Sequence, residues 1–423
     1  MPSSSAYPLA TTWHAALGKL AVEEPLASRP EVCRSVALRF VPDQADVVEA
    51  IVAALALGRC VCWIRNTVAD ALVAFDTLAS RVHADHITLF HARFALADRL
   101  HVEQHMLERF GPSSSAAQRH GQLVIATQVV EQSLDADWDV LVTDLAPVDR
   151  LIQRAGRLQR HVRDTLGNRL QAQGSSDERG EPCLWIHGPA WTETPAANWY
   201  SAALPKAAHV YPHHGQSWLT MQALQAGRLR MPEDARRLIE SVFATDADLH
   251  EALVANANRA EGDHWAARSQ GGTNVVKLAS GYQRGDVIDW WSEARTPSRL
   301  GEASTTGVLA RWDGERLRPW VDHVKEAAAW AYSSVRVATR SIAQRAAEPT
   351  PPREAAVRAI EESTPGVGKW AVLLVLEQGR DGVWRGRAMT LESKHRAAQV
   401  RHWTYSSARG LMPAEQQDGE DSE

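Results

Sequence analysis

Residues 123–161, LVIATQVVEQSLDADWDVLVTDLAPVDRLIQRAGRLQRH, decide the fold. Two short apolar runs, Leu123–Ala126 and Val140–Leu145, flank a polar loop and are followed by an arginine-bearing amphipathic segment. Short apolar runs bounded by polar segments read as strands buried on both faces of a parallel sheet. If Asp149–His161 is helical at about 100° per residue, Gln153, Arg157 and Arg160 fall within roughly a 60° arc, and Leu151, Ala155 and Leu158 lie opposite. Gly156 then sits mid-helix, where it costs about 1 kcal/mol relative to alanine unless the helix closely approaches another backbone. Rigid, always-charged guanidinium forks beside such a contact suit stabilisation of phosphoryl-transfer charge. The plain alternative is a solvated helix face carrying two arginines.

Outward from this block, Ser35–Phe40 and Val61–Ile64 read as strands, with an amphipathic helix from about Asp43 to Leu57 between them that Asp43 can cap. A second helix is expected over Val68–Arg81, and Cys183–His187 reads as a closing strand. Strands alternating with helices imply right-handed βαβ units and an α/β fold. Residues 163–182 are a polar loop and 214–262 read as mostly helical. EPTPPR (Glu348–Arg353) is a linker, and 369–391 reads as a hairpin around Gly379-Arg380-Asp381-Gly382.

Gln153-Arg154-x-Gly156-Arg157-x-x-Arg160 resembles motif VI of superfamily 2 helicases, and ATQVVEQSLDADWD (Ala126–Asp139) resembles their motif V. The longer string ATQVVEQSLD followed by TDLAPVDRLIQRAGRLQRH closely resembles the CRISPR-associated helicase-nuclease family recruited by Cascade in type I interference. VCWIRNTVADA (Val61–Ala71) resembles that family's motif IV and LFHARF (Leu89–Phe94) its motif IVa. The resemblance is strong over about residues 36–163. It continues more weakly through GYQRGDVIDWW and RLGE (Arg299–Glu302) and at the end of the chain.

The resemblance implies a second RecA-like domain at 31–190, after a lead-in at 1–30. A mostly helical linker region at 191–347 follows, then a small C-terminal domain with a hairpin at 353–412 and an acidic disordered tail at 413–423. It implies ATP shared with a first RecA-like domain that also holds Mg²⁺. It further implies that Gln153, Arg157 and Arg160 meet the γ-phosphate, and that Asp135 touches the ribose or the finger arginines. Thr127 and Gln128 would contact the phosphates of a single DNA strand from the carboxyl end of a strand, the crevice where open α/β sheets bind ligands; helix capping is their alternative. Arg65, Asn66 and Thr67 suit backbone phosphates without base readout, though a capped turn explains them too. His91 and Arg93 would stack on or pair with the strand, unless they are ordinary loop residues.

The family's amino half carries a metal-dependent HD nuclease and a RecA-like domain with Walker A and DExH boxes. These residues contain no such boxes and no His-Asp dipeptide. A Walker A loop needs glycine five residues before Gly-Lys and a hydroxyl after it. Gly368-Lys369 has Ser363 and Trp370 at those places, and Gly18-Lys19 has Trp13 and Leu20. Tyr7-Pro8-Leu9 resembles the family's sequence just after motif III, which places the start of this sequence at the seam between the two RecA-like domains.

With 423 residues, two or three domains are expected. The uncharged apolar run Ile51–Leu57 is too short to span a bilayer and the opening Met-Pro-Ser-Ser-Ser has no signal-peptide pattern, so a cytoplasmic protein is expected. Net charge is −5, and Glu415, Asp418, Glu420, Asp421 and Glu423 account for it, leaving a neutral body with no basic carpet for duplex DNA. Cys60 and Cys62 read as reduced core thiols. His101 and His105 are four apart, but Glu103 does not fit a zinc motif and no third ligand is evident, so no metal site is assigned. Most of the 16 tryptophans are expected in cores.

Two functions follow. The resemblance implies the C-terminal helicase portion of an ATP-driven single-stranded DNA translocase of type I interference, acting with Cascade and expected to be inactive without a Walker A/B half, which a separate polypeptide could supply. Alternatively it is a non-catalytic module that docks nucleic acid or Cascade.

Overall fold

The computed structural model describes residues 4, 6–13, 21–131, 134–170, 174–274, 303–392 and 397–414. Two compact units emerge: Met1–Thr88 with Met106–Gly262, and Leu89–His105 with Asp263–Glu423. This division differs from the limits expected at 190 and 353. GYQRGDVIDWW, Arg299–Glu302, Gly18-Lys19 and the acidic tail after Ala414 lie outside the described residues.

In the first unit the strands are β1 (Leu9–Trp13), β2 (Ala21–Pro25), β3 (Arg34–Val41), β4 (Val61–Ile64), β5 (Ile87–Phe90), β6 (Leu123–Ala126), β7 (Val140–Asp144), β8 (Cys183–His187) and β9 (Arg228–Met231). The helices are α1 (Gln44–Ala56), α2 (Val68–Ala79), α3 (Leu96–Phe110), α4 (Ala116–Arg119), α5 (Val148–Ala155), α6 (Trp199–Ala203), α7 (His214–Ala223), α8 (Ala235–Phe243) and α9 (Glu251–Asn274); β5, α3 and α9 each cross the division between the units. A seven-stranded sheet runs β5-β6-β4-β7-β8-β3-β9. The pairs β4–β6, β4–β7, β7–β8 and β3–β8 are parallel. Every residue of β4 and β6 is buried, as strands covered on both faces require.

Local chemistry sets the helix starts. Asp43 caps α1 by accepting from the Ala45 amide at 2.8 Å. Thr67 caps α2, accepting from the Asp70 amide at 3.0 Å while its hydroxyl donates to the Asp70 carboxylate at 2.7 Å. Thr67→Ala is therefore expected to cost about 1 kcal/mol and Thr67→Ser far less, read as the shift in thermal midpoint.

The helix expected over Asp149–His161 is shorter: α5 ends at Ala155 and Gly156 is its C-cap. Mid-helix glycine is thus corrected to a terminating one. Beyond it the Trp138 amide donates to Arg157 O and the Gln159 amide to Trp138 O, making a parallel bridge between Trp138 and Leu158. Both side chains are fully buried, and burial of an indole and a leucine outweighs one more helical turn. Gln159 takes the left-handed conformation at φ 44° to make the turn.

The region read as helical at 214–262 also contains β9, antiparallel to β3 at the sheet edge. Among the described residues, no helix is long and apolar enough to cross a membrane.

The second unit is built on an eight-stranded sheet of β10 (Ser304–Trp312), β11 (Leu317–Pro319), β12 (Ser334–Ala338), β13 (Gln344–Arg345), β14 (Ala371–Gln378), β15 (Trp384–Met389), β16 (Val400–Ser406) and β17 (Gly410–Pro413). Two helices, α10 (Glu326–Tyr332) and α11 (Pro351–Ser363), accompany it. The expected hairpin is β14–β15. The stretch 304–345, expected within a helical region, holds four strands and one short helix, because TTGVLARW and SVRVA carry β-branched residues and pair with each other, the former also pairing in parallel with β14. Its core is formed by Leu309, Val335, Val337, Leu374, Trp403 and Tyr405 among others.

Candidate functional site: the carboxyl ends of β4, β6 and β7

Three adjacent parallel strands deliver the candidate residues: Arg65–Thr67 follow β4, Thr127 and Gln128 follow β6, and α5 follows β7 after a short loop. Arg65 and Asn66, expected as outward donors to phosphate, turn inward and are 2% and 1% exposed. The Asp144 carboxylate explains why. It accepts from Arg65 Nε at 3.0 Å and from the Asn66 amide at 2.9 Å, while the Arg65 guanidinium stacks 4.4 Å from the Trp63 ring. Asn66 Nδ2 donates to Leu145 O at 2.8 Å. A buried carboxylate at the end of β7 demands such donors, so these two residues tie β4 to β7.

Thr127 is 3% exposed and makes no side-chain cap to the turn Gln128–Val130. Gln128 is half-buried and donates from Nε2 to Asn66 O at 2.8 Å. Thr67 is also half-buried.

The arginines of the decisive stretch separate into three environments. Arg154 is fully buried. Its Nε donates to Glu131 Oε1 at 2.8 Å, its Nη1 to Asn66 Oδ1, Thr143 Oγ1 and Asp144 O, and its Nη2 to the Tyr211 hydroxyl at 3.2 Å. Burial opposes its charge, but Tyr211, Glu131 and Asp144 outweigh that and raise its pKa. Arg157 is half-buried, donating from Nη2 to Glu131 O at 2.9 Å and from Nη1 to Leu134 O. Burial and the neighbouring Arg160 charge lower its pKa. Arg160 and Gln153 are exposed. Arg160 Nε pairs with Asp135 Oδ1 at 2.8 Å, and His161 Nε2 lies 3.1 Å from the same oxygen.

The stripe expected to be buried, Leu151, Ala155 and Leu158, is buried. Gln153 remains on α5, whereas Arg157 and Arg160 sit on the segment after it, so the common helical arc is replaced by a turn.

Beneath that segment lies a buried ionic cluster. Asp137 accepts from the Arg160 amide at 2.8 Å, Arg163 Nε at 2.7 Å and Arg179 Nη1 at 3.1 Å. Asp139 accepts from Arg119 and Arg179, each at 2.9 Å, and from the Cys60 amide at 3.0 Å. Arg179 also holds His161 O, and Arg34 holds Leu158 O. The backbone of 158–161 is thereby clamped at three points.

The second unit contains His91 and Arg93. His91, expected on a DNA strand, is fully buried and stacks on Phe94 with ring centroids 4.6 Å apart. Arg93 is half-buried, and its carbonyl accepts from the Leu411 amide at 2.7 Å. The adjoining Ala95 amide donates to the Tyr405 hydroxyl, which donates to Asp98 Oδ2 at 2.6 Å. Strands β16 and β17 are therefore bonded to this segment, and His91 is not open to a DNA base. A Cβ on Gly410 (φ +68°) would stand 2.6 Å from Arg93 O and 2.8 Å from His91. Gly410→Ala should accordingly destabilise the chain by about 1–3 kcal/mol, read as a lower urea midpoint.

Burial, with help from the Arg93 charge, pushes His91 down to about 3. The neutral ring is the native form, so its contribution is complete above about pH 6.5 and is lost as pH falls toward the folded value. Urea titrations at pH 7 and pH 5 should show this loss, reduced in His91→Gln.

Sequence reading missed Arg154, Glu131, Asp144 and the Asp137 cluster. A signal for Arg154 existed: at helical spacing it lies about 60° from Leu151 and thus on the apolar side of α5. The arginines around Asp137 are spread from Arg119 to Arg179, and no local pattern announces them.

A mainly parallel sheet with helices and with these loops at the carboxyl ends of its strands is a RecA-like α/β arrangement. Residues 57–163 match the family described as CRISPR-associated nuclease/helicase Cas3, C-terminal. The chain is 29% identical over 344 residues to the CRISPR-associated endonuclease/helicase Cas3 of Escherichia coli K12, covering 76% of this chain and 33% of the relative. A crystal structure of T. fusca Cas3 with AMPPNP superposes with a TM-score of 0.72 at 22% identity, over 97% of this chain and 46% of that one. A chain from a structure described as a CRISPR RNA-guided surveillance complex, pre-nicking, superposes at a TM-score of 0.64 and 21% identity, over 97% of this chain and 48% of that one. Residues 57–163 thus match the C-terminal part of Cas3, and the similarity to a Cas3 relative extends over 76% of this chain. The chain spans about a third of the E. coli relative and under half of the solved chains.

Proposed function

We propose that this chain supplies the second RecA-like domain of an ATP-driven single-stranded DNA translocase in type I CRISPR interference, working with a surveillance complex of the Cascade type. The observation that carries this reading is the treatment of the decisive stretch. Gln153 and Arg160 are exposed and Arg157 is half-buried, while a buried ionic cluster clamps the backbone beside them. A docking module has no use for a braced, outward guanidinium.

ATP fits the donor set of this edge, which offers an amide and two guanidinium forks for phosphate oxygens and Asp135 for a ribose hydroxyl or for Arg160. When bound, the nucleotide supplies the phosphoryl group whose transfer drives translocation. Arg157 and Arg160 neutralise charge on that group, Gln153 orients it, and Asp135 holds Arg160 in reach. Among the described residues no cluster of three His, Cys, Asp or Glu could hold a metal ion, and Mg²⁺ is assigned to a first RecA-like domain.

Phosphate contacts with a single DNA strand fall to Thr67 and Gln128, with Arg65, Asn66 and Thr127 acting beneath them as supports. Arg93 is retained as a contact of the second unit, and His91 as its buried support. Few phosphates are engaged, so single-stranded DNA should bind weakly, without sequence preference and with a shallow salt dependence. A steep slope in fluorescence anisotropy, or no loss in a Thr67→Ala/Gln128→Ala variant, would argue against this edge.

The test of the function is reconstitution. The purified chain alone is expected to release no phosphate above roughly 0.1 per second with or without DNA. Addition of a polypeptide carrying the Walker A and DExH boxes should establish DNA-dependent ATPase. Hydrolysis by the chain alone, or none with the added half, would overturn the proposal.

A further inference from the structure

We propose that Glu131 is a positioning residue for Arg157: its buried carboxylate, seated on Arg154, fixes the backbone carbonyl on which the Arg157 guanidinium is oriented. This rests on the reading that Arg157 acts on the nucleotide, and it assigns a role to a residue that touches neither nucleotide nor DNA.

The geometry is one of two anchors on a single residue. The Glu131 and Arg154 side chains are 1% and 0% exposed, with Oε1 and Nε 2.8 Å apart. Oε2 lies 3.5 Å from Arg150 Nη1, one helical turn earlier on α5. The carboxylate therefore fastens the loop after β6 to α5 at two places. Arg154 cannot yield, because its remaining donors are spent on Asn66, Thr143, Asp144 and Tyr211, at the ends of β4 and β7 and in the loop before α7.

The main chain of Glu131 faces the other way. Its carbonyl, with that of Leu134, accepts both terminal nitrogens of Arg157. A long side chain with many rotamers is thus directed by two acceptors of one loop, and the loop's place is set by the Glu131–Arg154 pair. Misplacing a transition-state group by about 1 Å costs on the order of 100-fold in rate, and that sensitivity makes the pair matter to chemistry as well as to folding.

The experiment uses the full chain with the Walker A/DExH polypeptide, ATP and single-stranded DNA, and reads kcat and KM for ATP. Glu131→Gln keeps an acceptor for Arg154 and loses the charge. It should lower kcat about tenfold or more while KM for ATP changes by less than about threefold, the pattern of a lost transition-state interaction. In an Arg157→Ala background the same substitution should lower kcat no further, since the group it places is gone.

Because Glu131→Gln leaves a buried guanidinium undercompensated, a Glu131→Leu/Arg154→Met variant, which removes both charges, is measured alongside. Its thermal midpoint should recover relative to Glu131→Leu while kcat stays low. An unchanged kcat in Glu131→Gln, additive losses with Arg157→Ala, or full activity in the double replacement would each overturn the inference. If Arg157→Ala itself leaves the reconstituted ATPase intact, the functional reading fails. If Arg157→Ala lowers kcat by about three orders of magnitude and Glu131→Gln lowers the residual rate further by its own factor, only the positioning role fails.

Discussion

Arg157→Ala or Arg160→Ala is expected to lower the DNA-dependent ATPase of the reconstituted enzyme by about three orders of magnitude, the range seen when an arginine finger is removed from a phosphoryl-transfer site. Lysine at either position should rescue poorly, because a point charge cannot reproduce two parallel N–H donors. The fold should scarcely respond. Arg160 is exposed and its partner Asp135 is equally open, so the pair contributes little to stability in water. Arg157 loses two hydrogen bonds to carbonyls that water can reach once the side chain is cut back. Steady-state kinetics paired with thermal midpoints of the isolated chain separate the outcomes: intact ATPase, or an unfolded chain, in either variant makes these arginines structural and favours a docking module.

Arg154→Ala should do the opposite. This arginine is fully buried, and its removal strands the Glu131 carboxylate and leaves Thr143, Asp144 O and Tyr211 without their shared donor. Breaking a buried ion pair by deleting one partner costs about 3–5 kcal/mol, a drop in thermal midpoint on the order of 10 °C for a unit of this size. Arg154→Lys should recover little, since one ammonium cannot serve acceptors on three sides. A midpoint within a degree or two of the parent would mean that water or rearrangement replaces the network. Neighbouring arginines of one short motif are thus expected to fail differently, Arg154 in folding and Arg157 and Arg160 in chemistry.

Much of the fold is legible in the residues themselves. Four consecutive apolar residues in VCWI and LVIA have too little polarity to face water on either side, so both read correctly as central strands of a parallel sheet. Asp43 and Thr67 stand where a backbone leaves an extended strand for a helix, and their side chains cap those helices as local chemistry requires. The family resemblance is legible too, because residue types at the spacing of motif V and motif VI serve chemistry that is itself short-ranged.

Tertiary structure alone decided which polar residues face outward. RNT after a strand reads equally as a phosphate cradle or as a capped turn. The choice is made by Asp144, 79 residues away from Arg65, whose buried carboxylate draws Arg65 and Asn66 inward. The same holds for His91, covered by a turn from the far end of the chain that only glycine at 410 permits. The end of α5 was likewise set by the burial of Trp138 and Leu158 and not by helix propensity. Sequence by itself determined the buried strands of the first sheet, the capped starts of α1 and α2 and the family resemblance, since propensity, capping and periodicity act within a few residues. Burial of charge depends on partners that chain folding brings together from far apart, and that long-range satisfaction assigned Arg154 to the core and left Arg160 in the open.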